Sequence, residues 1–109
     1  MDEKDKGVIL KLKNNLPSDI TKHIKKYIVY GSRARGEGSE ESDLDVLMLV
    51  DEKSPEMELK LEDAAYQIMW EHDFRPIISL KIFAEDKFNQ ALEKRFSFYR
   101  NVEREGIVV

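Results

Sequence analysis

The run that most restricts this chain is Leu44-Asp45-Val46-Leu47-Met48-Leu49-Val50. Successive side chains of a strand point to opposite faces, so an unbroken apolar run places apolar groups on both. Such a strand is stable only at the centre of a sheet covered on both sides. A chain of 109 residues is long enough to form one such sheet with its covering helices, and residues 1–109 are read as a single domain.

The flanking segments supply those partners. Val8, Ile9, Leu12 and Leu16 fall at near-helical spacing within Gly7 to Leu16, and Pro17 ends that segment. Ser18 reads as the cap of a short helix from Asp19 to Lys26. The β-branched and aromatic run Tyr27 to Tyr30 reads as a strand that stops at Gly31. Ser32 to Ser42 is a polar loop with one helical turn after Ser32. Pro55 suits the first turn of a helix, and from Glu56 to Asp73 the residues Met57, Leu61, Ala64, Ala65, Ile68 and Met69 share one face. Ile77 to Phe83 is a third strand. Glu85 to Phe96 and Ser97 to Glu105 read as helices, Gly106 as a C′ glycine, and Ile107 to Val109 as a short terminal strand. The order predicts an α/β (α+β) fold, a small three- or four-stranded mixed sheet flanked by helices.

Composition narrows the class. Apolar residues make up 41% and charged residues 37%, which describes a folded domain with a densely charged surface. No apolar run approaches the roughly 20 residues that span a bilayer. The opening Met1-Asp2-Glu3-Lys4-Asp5-Lys6 lacks the apolar core of a signal peptide, so a cytoplasmic location is expected. Without cysteine there is neither a disulfide framework nor a thiolate zinc site. A net charge of −4 argues against nucleic acid as the main partner, although Arg33 and Arg35 form a local basic spot.

The chemistry concentrates between Tyr30 and Asp45. Gly31, directly after a strand, lets the backbone turn sharply or approach a ligand, having no Cβ. Ser32 adds a hydroxyl and an amide at a helical turn whose unpaired N–H groups favour phosphate. Asp43 and Asp45 lie two apart, on one face of the following strand. Two carboxylates held together repel unless a cation lies between them. Oxygen donors with no His or Cys nearby point to Mg²⁺ or Mn²⁺.

This stretch resembles the signature of the minimal nucleotidyltransferase (MNT) family within the polymerase-β-like superfamily: Gly-Ser, ten residues, then Asp-x-Asp. Gly31, Ser32, Asp43 and Asp45 match it without a gap, inside the local forms Gly31 to Gly36 and Ser42 to Val46. The resemblance implies the polymerase-β-like nucleotidyltransferase fold and transfer of a nucleoside monophosphate, AMP from ATP above all, to a hydroxyl acceptor. Gly31 and Ser32, with Arg33 and Ser42 beside them, would bind the nucleotide. Asp43 and Asp45 would be the catalytic and metal-holding carboxylates. Members of this size resemble the antitoxin half of HEPN–MNT systems, which implies a HEPN-family toxin as partner and acceptor.

One departure from the family stands out. Catalytic members supply a third carboxylate from the strand after the long helix, and no acid occurs between Phe74 and Ala84. Ser79 falls near the vacant position, while Asp73 and Glu85 bracket the strand. The alternative reading is therefore a nucleotide- or partner-binding module with impaired turnover.

Other residues have plainer readings. Arg33 and Arg35 either reach triphosphate oxygens or form ion pairs, with Asp43 or Glu37 as partners. His23 and His72 lie on helical segments with no second histidine at ligand spacing and read as surface or helix-end residues. Tyr66, Trp70 and Phe74 recur every fourth residue, a stripe facing either the core or a partner, and a homo-oligomer would fit the second case.

Overall fold

The computed structural model describes residues 1–109 and contains a four-stranded mixed sheet flanked by helices. In chain order the elements are α1 (Glu3–Asn15), α2 (Ser18–Thr21), β1 (Ile24–Tyr30), α3 (Gly31–Ala34), β2 (Leu44–Val50), α4 (Pro55–Glu71), β3 (Ile78–Ala84), α5 (Glu85–Glu93), α6 (Ser97–Glu105) and β4 (Ile107–Val108). The strands lie side by side in the order β3-β2-β1-β4. β2 runs antiparallel to β1 and parallel to β3, and β4 closes the other edge antiparallel to β1.

The apolar run of β2 is central as its pattern demands, with every residue from Val46 to Val50 buried. Leu44, Val46, Met48 and Val50 join Tyr27 and Val29 of β1 under α1 and α4, where Ile9, Leu12, Leu61 and Ile68 complete the larger core. Leu47 and Leu49 face the other way and pack with Ile28 against Phe88 of α5 and Val102 of α6. Burying a large aliphatic side chain contributes about 1.5–3 kcal/mol, so this one strand anchors both layers.

Four boundaries differ from the sequence expectation by three residues or more. α1 starts at Glu3, four residues early, because the Asp2 carboxylate accepts the Asp5 N–H at 2.8 Å and caps the helix. α2 stops at Thr21, and β1 begins at Ile24, three residues before the apolar signal. Its first turn of chain pairs Ile24 with Val50 across a bulge, so pairing to β2 overrides the polar composition of Lys25 and Lys26. α5 ends at Glu93, where Arg95 takes a positive φ of 61° and breaks the run expected to reach Phe96. Gly106 is extended (φ −69°, ψ 147°) and not left-handed. A Cβ there would collide with the Val102 carbonyl oxygen and the Ile28 side chain, so the residue is small for lack of space.

Candidate nucleotide and metal site

The site lies where β1 ends and β2 begins. Because the two strands are antiparallel, Tyr30, the last residue of β1, pairs with Asp45, and the chain turns at Gly31 directly above it. Gly31 has a φ of +78°, and a Cβ added to it would overlap the Asp45 carboxylate. Backbone geometry and side-chain space therefore both require glycine. The single turn of α3 follows with no side-chain cap on its first N–H groups.

The loop after α3 is folded back by its own hydrogen bonds. The Ser32 carbonyl accepts the N–H groups of Glu37 (2.9 Å) and Gly38 (3.1 Å). Gly38 is pressed against α3, where a Cβ would lie 2.8 Å from Arg33 Cγ and 3.1 Å from Ser32 Oγ. Ser42 Oγ accepts the Ser39 N–H at 3.1 Å, and the chain emerges at Asp43 and enters β2. The ten residues between Ser32 and Asp43 thus form a closed loop that returns the Asp43/Asp45 pair to the Gly31 turn.

Arg33 is the pin of this loop. Its guanidinium donates to Asp5 Oδ1 (2.8 Å), to the Glu40 carbonyl (2.8 Å) and to the Ser42 carbonyl (2.7 Å). All three nitrogens are engaged and the residue is 9% exposed, with Asp5 at 1%. The nucleotide contact expected of Arg33 is replaced by this structural role, and its partner is Asp5 on α1, not Asp43. Arg35 points into solvent and pairs with Glu37 and Glu105. The Ser42 hydroxyl caps the loop, so the contact to nucleotide expected of it competes with that turn.

Asp43 is exposed, and Asp45 is half-buried on the sheet face that α5 and α6 cover further down. Burial pushes the Asp45 carboxyl above its ordinary pKa, the neighbouring Asp43 charge adds to the rise, and the Lys81 ammonium opposes it. Tyr30 is raised to about 12, by burial first and by the Asp45 charge second. Its hydroxyl is buried without a partner, and its ring meets Phe98 edge-on at 5.7 Å. Tyr30, Gly31, Phe98, Asn101 and Val102 line a cleft of about 180 Å³ beside the turn. A roomier hollow of about 480 Å³ lies at the far end of β2, around Asp51, Lys53 and Asp86, away from these carboxylates.

β3 decides what stands next to Asp45. In the parallel register Ser79 is the Cα partner of Asp45, and Lys81 is that of Leu47. Side chains of β3 alternate: Ile78 and Ile82 enter the core under α4, so Ser79 and Lys81 lie on the face of Asp45. Ser79, which the resemblance places near the third-carboxylate position, stands directly across from Asp45. No third Asp, Glu, His or Cys joins the pair to form a metal-ligating group. Asp73 and Glu85 remain beyond the ends of β3. Sequence reasoning missed Lys81, although the two-residue period of β3 carries the signal once Ser79 is placed.

The remaining candidates lie elsewhere. His23 lies in the turn before β1 and not on a helix, and its Nδ1 contacts the Asp51 carboxylate at 3.0 Å. His72 caps the end of α4. Tyr66 and Trp70 are 50% and 61% exposed and stack edge-on with each other and with Phe74, so the stripe lies on the surface and not in the core.

A mixed sheet with a Gly-Ser turn on one strand end and paired carboxylates on its antiparallel neighbour defines a polymerase-β-like nucleotidyltransferase fold. The chain belongs to the nucleotidyltransferase domain family, whose model matches residues 9–109. It is similar to a protein of Methanocaldococcus jannaschii named "Putative protein adenylyltransferase", with 33% identity over 96 residues that cover 88% of each chain. Nucleotidyl transfer is therefore the general chemistry of its family.

Proposed function

We propose that this chain binds ATP with one divalent cation, Mg²⁺ or Mn²⁺, and transfers AMP to a hydroxyl on another protein. The observation that carries this reading is the collision course of Gly31 and Asp45: the turn and the carboxylate are packed so closely that a phosphate on one lies within reach of a cation on the other. The donor set suits a hard cation. It is all oxygen, and the Asp43 charge beside half-buried Asp45 is a burden that a positive ion relieves. When bound, such an ion neutralises charge on the phosphates and on the departing pyrophosphate.

The chain's own groups set the geometry. Backbone N–H groups of the Gly31-Ser32 turn, with the Ser32 hydroxyl, receive the outer phosphates. Arg33 and Gly38 keep that turn and the Asp43 loop in fixed register without touching the substrate. In the reaction the acceptor oxygen bonds to the α-phosphorus as the α–β phosphoanhydride bond breaks, pyrophosphate leaves and the acceptor proton goes to solvent. Positioning and electrostatics supply the acceleration.

The name of the archaeal relative supports a protein acceptor. The resemblance to HEPN–MNT antitoxins supports a HEPN-family toxin as that acceptor, in the cytoplasm. No helix is long and apolar enough to cross a membrane. Ser79 across from Asp45 favours a second reading, nucleotide binding with little turnover. Calorimetric titration of ATP with and without Mg²⁺, on wild type and on the Asp43→Asn/Asp45→Asn double variant, tests the site. Mg²⁺-dependent binding that the variant loses supports it. A folded wild type that binds no ATP removes both readings. Transfer of α-labelled phosphate to a co-expressed HEPN-family protein then separates the transferase from the binding module.

A further inference from the structure

Three strands present their upward-facing side chains to the site in rows. The first row is Tyr30, Asp45, Ser79 and the second is Ile28, Leu47, Lys81. The second row is apolar and covered at Ile28 and Leu47, but it ends on the edge strand in an exposed lysine. Two residues along a strand and one strand across separate the Lys81 and Asp45 Cα atoms by about 8 Å, a span its four-carbon stem covers. None of the molecule's ion pairs includes Lys81. The other cations near the loop are committed: Arg33 to Asp5 and two carbonyls, Arg35 to Glu37 and Glu105. Lys81 is the cation whose charge reaches Asp45.

The charge count of the site explains why that matters. Two carboxylates ligate one divalent ion adequately. A second ion needs further oxygen ligands, and the neighbour of Asp45 that would supply them is a serine. A triphosphate brings more negative charge than one divalent ion neutralises. We infer that Lys81 is a nucleotide-binding residue, its ammonium contacting the phosphates and taking the place of a second metal ion. This inference rests on the nucleotide site proposed above. It makes the site a one-metal, one-lysine arrangement, in which Ser79 leaves room for the lysine that a carboxylate there would instead capture as an ion pair.

The test measures binding and metal count, with no need for turnover. Wild type, Lys81→Met, Lys81→Arg and the remote Lys87→Met are titrated with ATP in saturating Mg²⁺. Bound Mn²⁺ per bound ATP is counted by electron paramagnetic resonance. Lys81 is exposed, and circular dichroism verifies that each variant is folded. The expected results are affinity weakened about tenfold or more by Lys81→Met, about 1.4 kcal/mol. Lys81→Arg retains most of the affinity, Lys87→Met changes nothing, and wild type binds one Mn²⁺ per ATP. The double variant Ser79→Asp/Lys81→Ser is expected to take up a second Mn²⁺. Tight ATP binding unchanged by Lys81→Met, or two Mn²⁺ ions in wild type, overturns the role of Lys81 while leaving the nucleotide site intact. Failure of wild type to bind ATP overturns the site and this inference together.

Discussion

Asp45 carries opposing demands, because a carboxylate useful to a cation is a liability without one. Burial and the Asp43 charge raise its pKa in the folded state. A raised carboxyl favours the folded state most when protonated, so its contribution is full below the ordinary carboxylate pKa and is lost as pH rises through the folded value. The metal-free Asp45→Asn variant should therefore be more stable than wild type at neutral pH. That advantage should shrink toward zero as pH falls below the carboxylate range, and urea midpoints across pH 3 to 8 measure it directly. A wild type more stable than the variant at pH 7 without metal would contradict the repulsion. Arg33 predicts the reverse sign. Arg33→Met strands the buried Asp5 carboxylate and frees the loop, at a cost of about 3–5 kcal/mol, a large share of a small domain's stability. Restoring stability by adding Asp5→Asn to Arg33→Met would verify that the stranded charge is the main penalty.

At the scale of elements, what was legible in the sequence is what depends on local pattern. The β2 run announced a doubly covered strand, and α4 announced itself by its apolar face and by Pro55 in its first turn; the Ser54 hydroxyl, which accepts the Met57 N–H at 3.1 Å, adds a cap that the sequence reading did not name. The start of β1 was not legible, because Lys25 and Lys26 become strand only through their pairing partners. Gly31, Ser32, Asp43 and Asp45 were legible as a spacing. The role of Arg33 was not, since its partner Asp5 lies 28 residues away on α1. The role of Gly106 was misread for a similar reason, as the crowding comes from Ile28 on β1. Two alanine substitutions separate these uses of glycine. Gly106→Ala should cost about 1–3 kcal/mol by overpacking against Val102 and Ile28. Gly36→Ala, with φ +75° and open space around it, should cost about 1–2 kcal/mol from backbone strain alone. Gly36→Asn should recover part of the loss at Gly36, because asparagine tolerates the left-handed region, whereas Gly106→Asn should be worse than alanine. Chemical denaturation of the four variants distinguishes them.

For the whole molecule, the layers and the site are coupled through β2. Its lower part holds two cores together, while Asp45 near its start carries a charge that opposes burial. The domain therefore folds with the Asp45 end as the least satisfied part of its best-anchored strand. A ligand that relieves that end stabilises the entire fold, because β2 cannot loosen locally without exposing Leu47 and Met48. Ligation at about one hundred times the dissociation constant contributes about 2.7 kcal/mol. For a domain of this size that corresponds to a rise in Tm on the order of 10 °C. ATP with Mg²⁺ should produce this rise, and ATP with EDTA only a small part of it. The Asp43→Asn/Asp45→Asn variant should melt higher than metal-free wild type yet fail to respond to ATP with Mg²⁺. That crossing of the two melting orders, read by calorimetry on a pair of proteins differing by two oxygen-to-amide changes, is not produced by general destabilisation. A variant that is both less stable and unresponsive would show instead that Asp43 and Asp45 hold the fold, and that the turn at Gly31 serves the loop and not a phosphate.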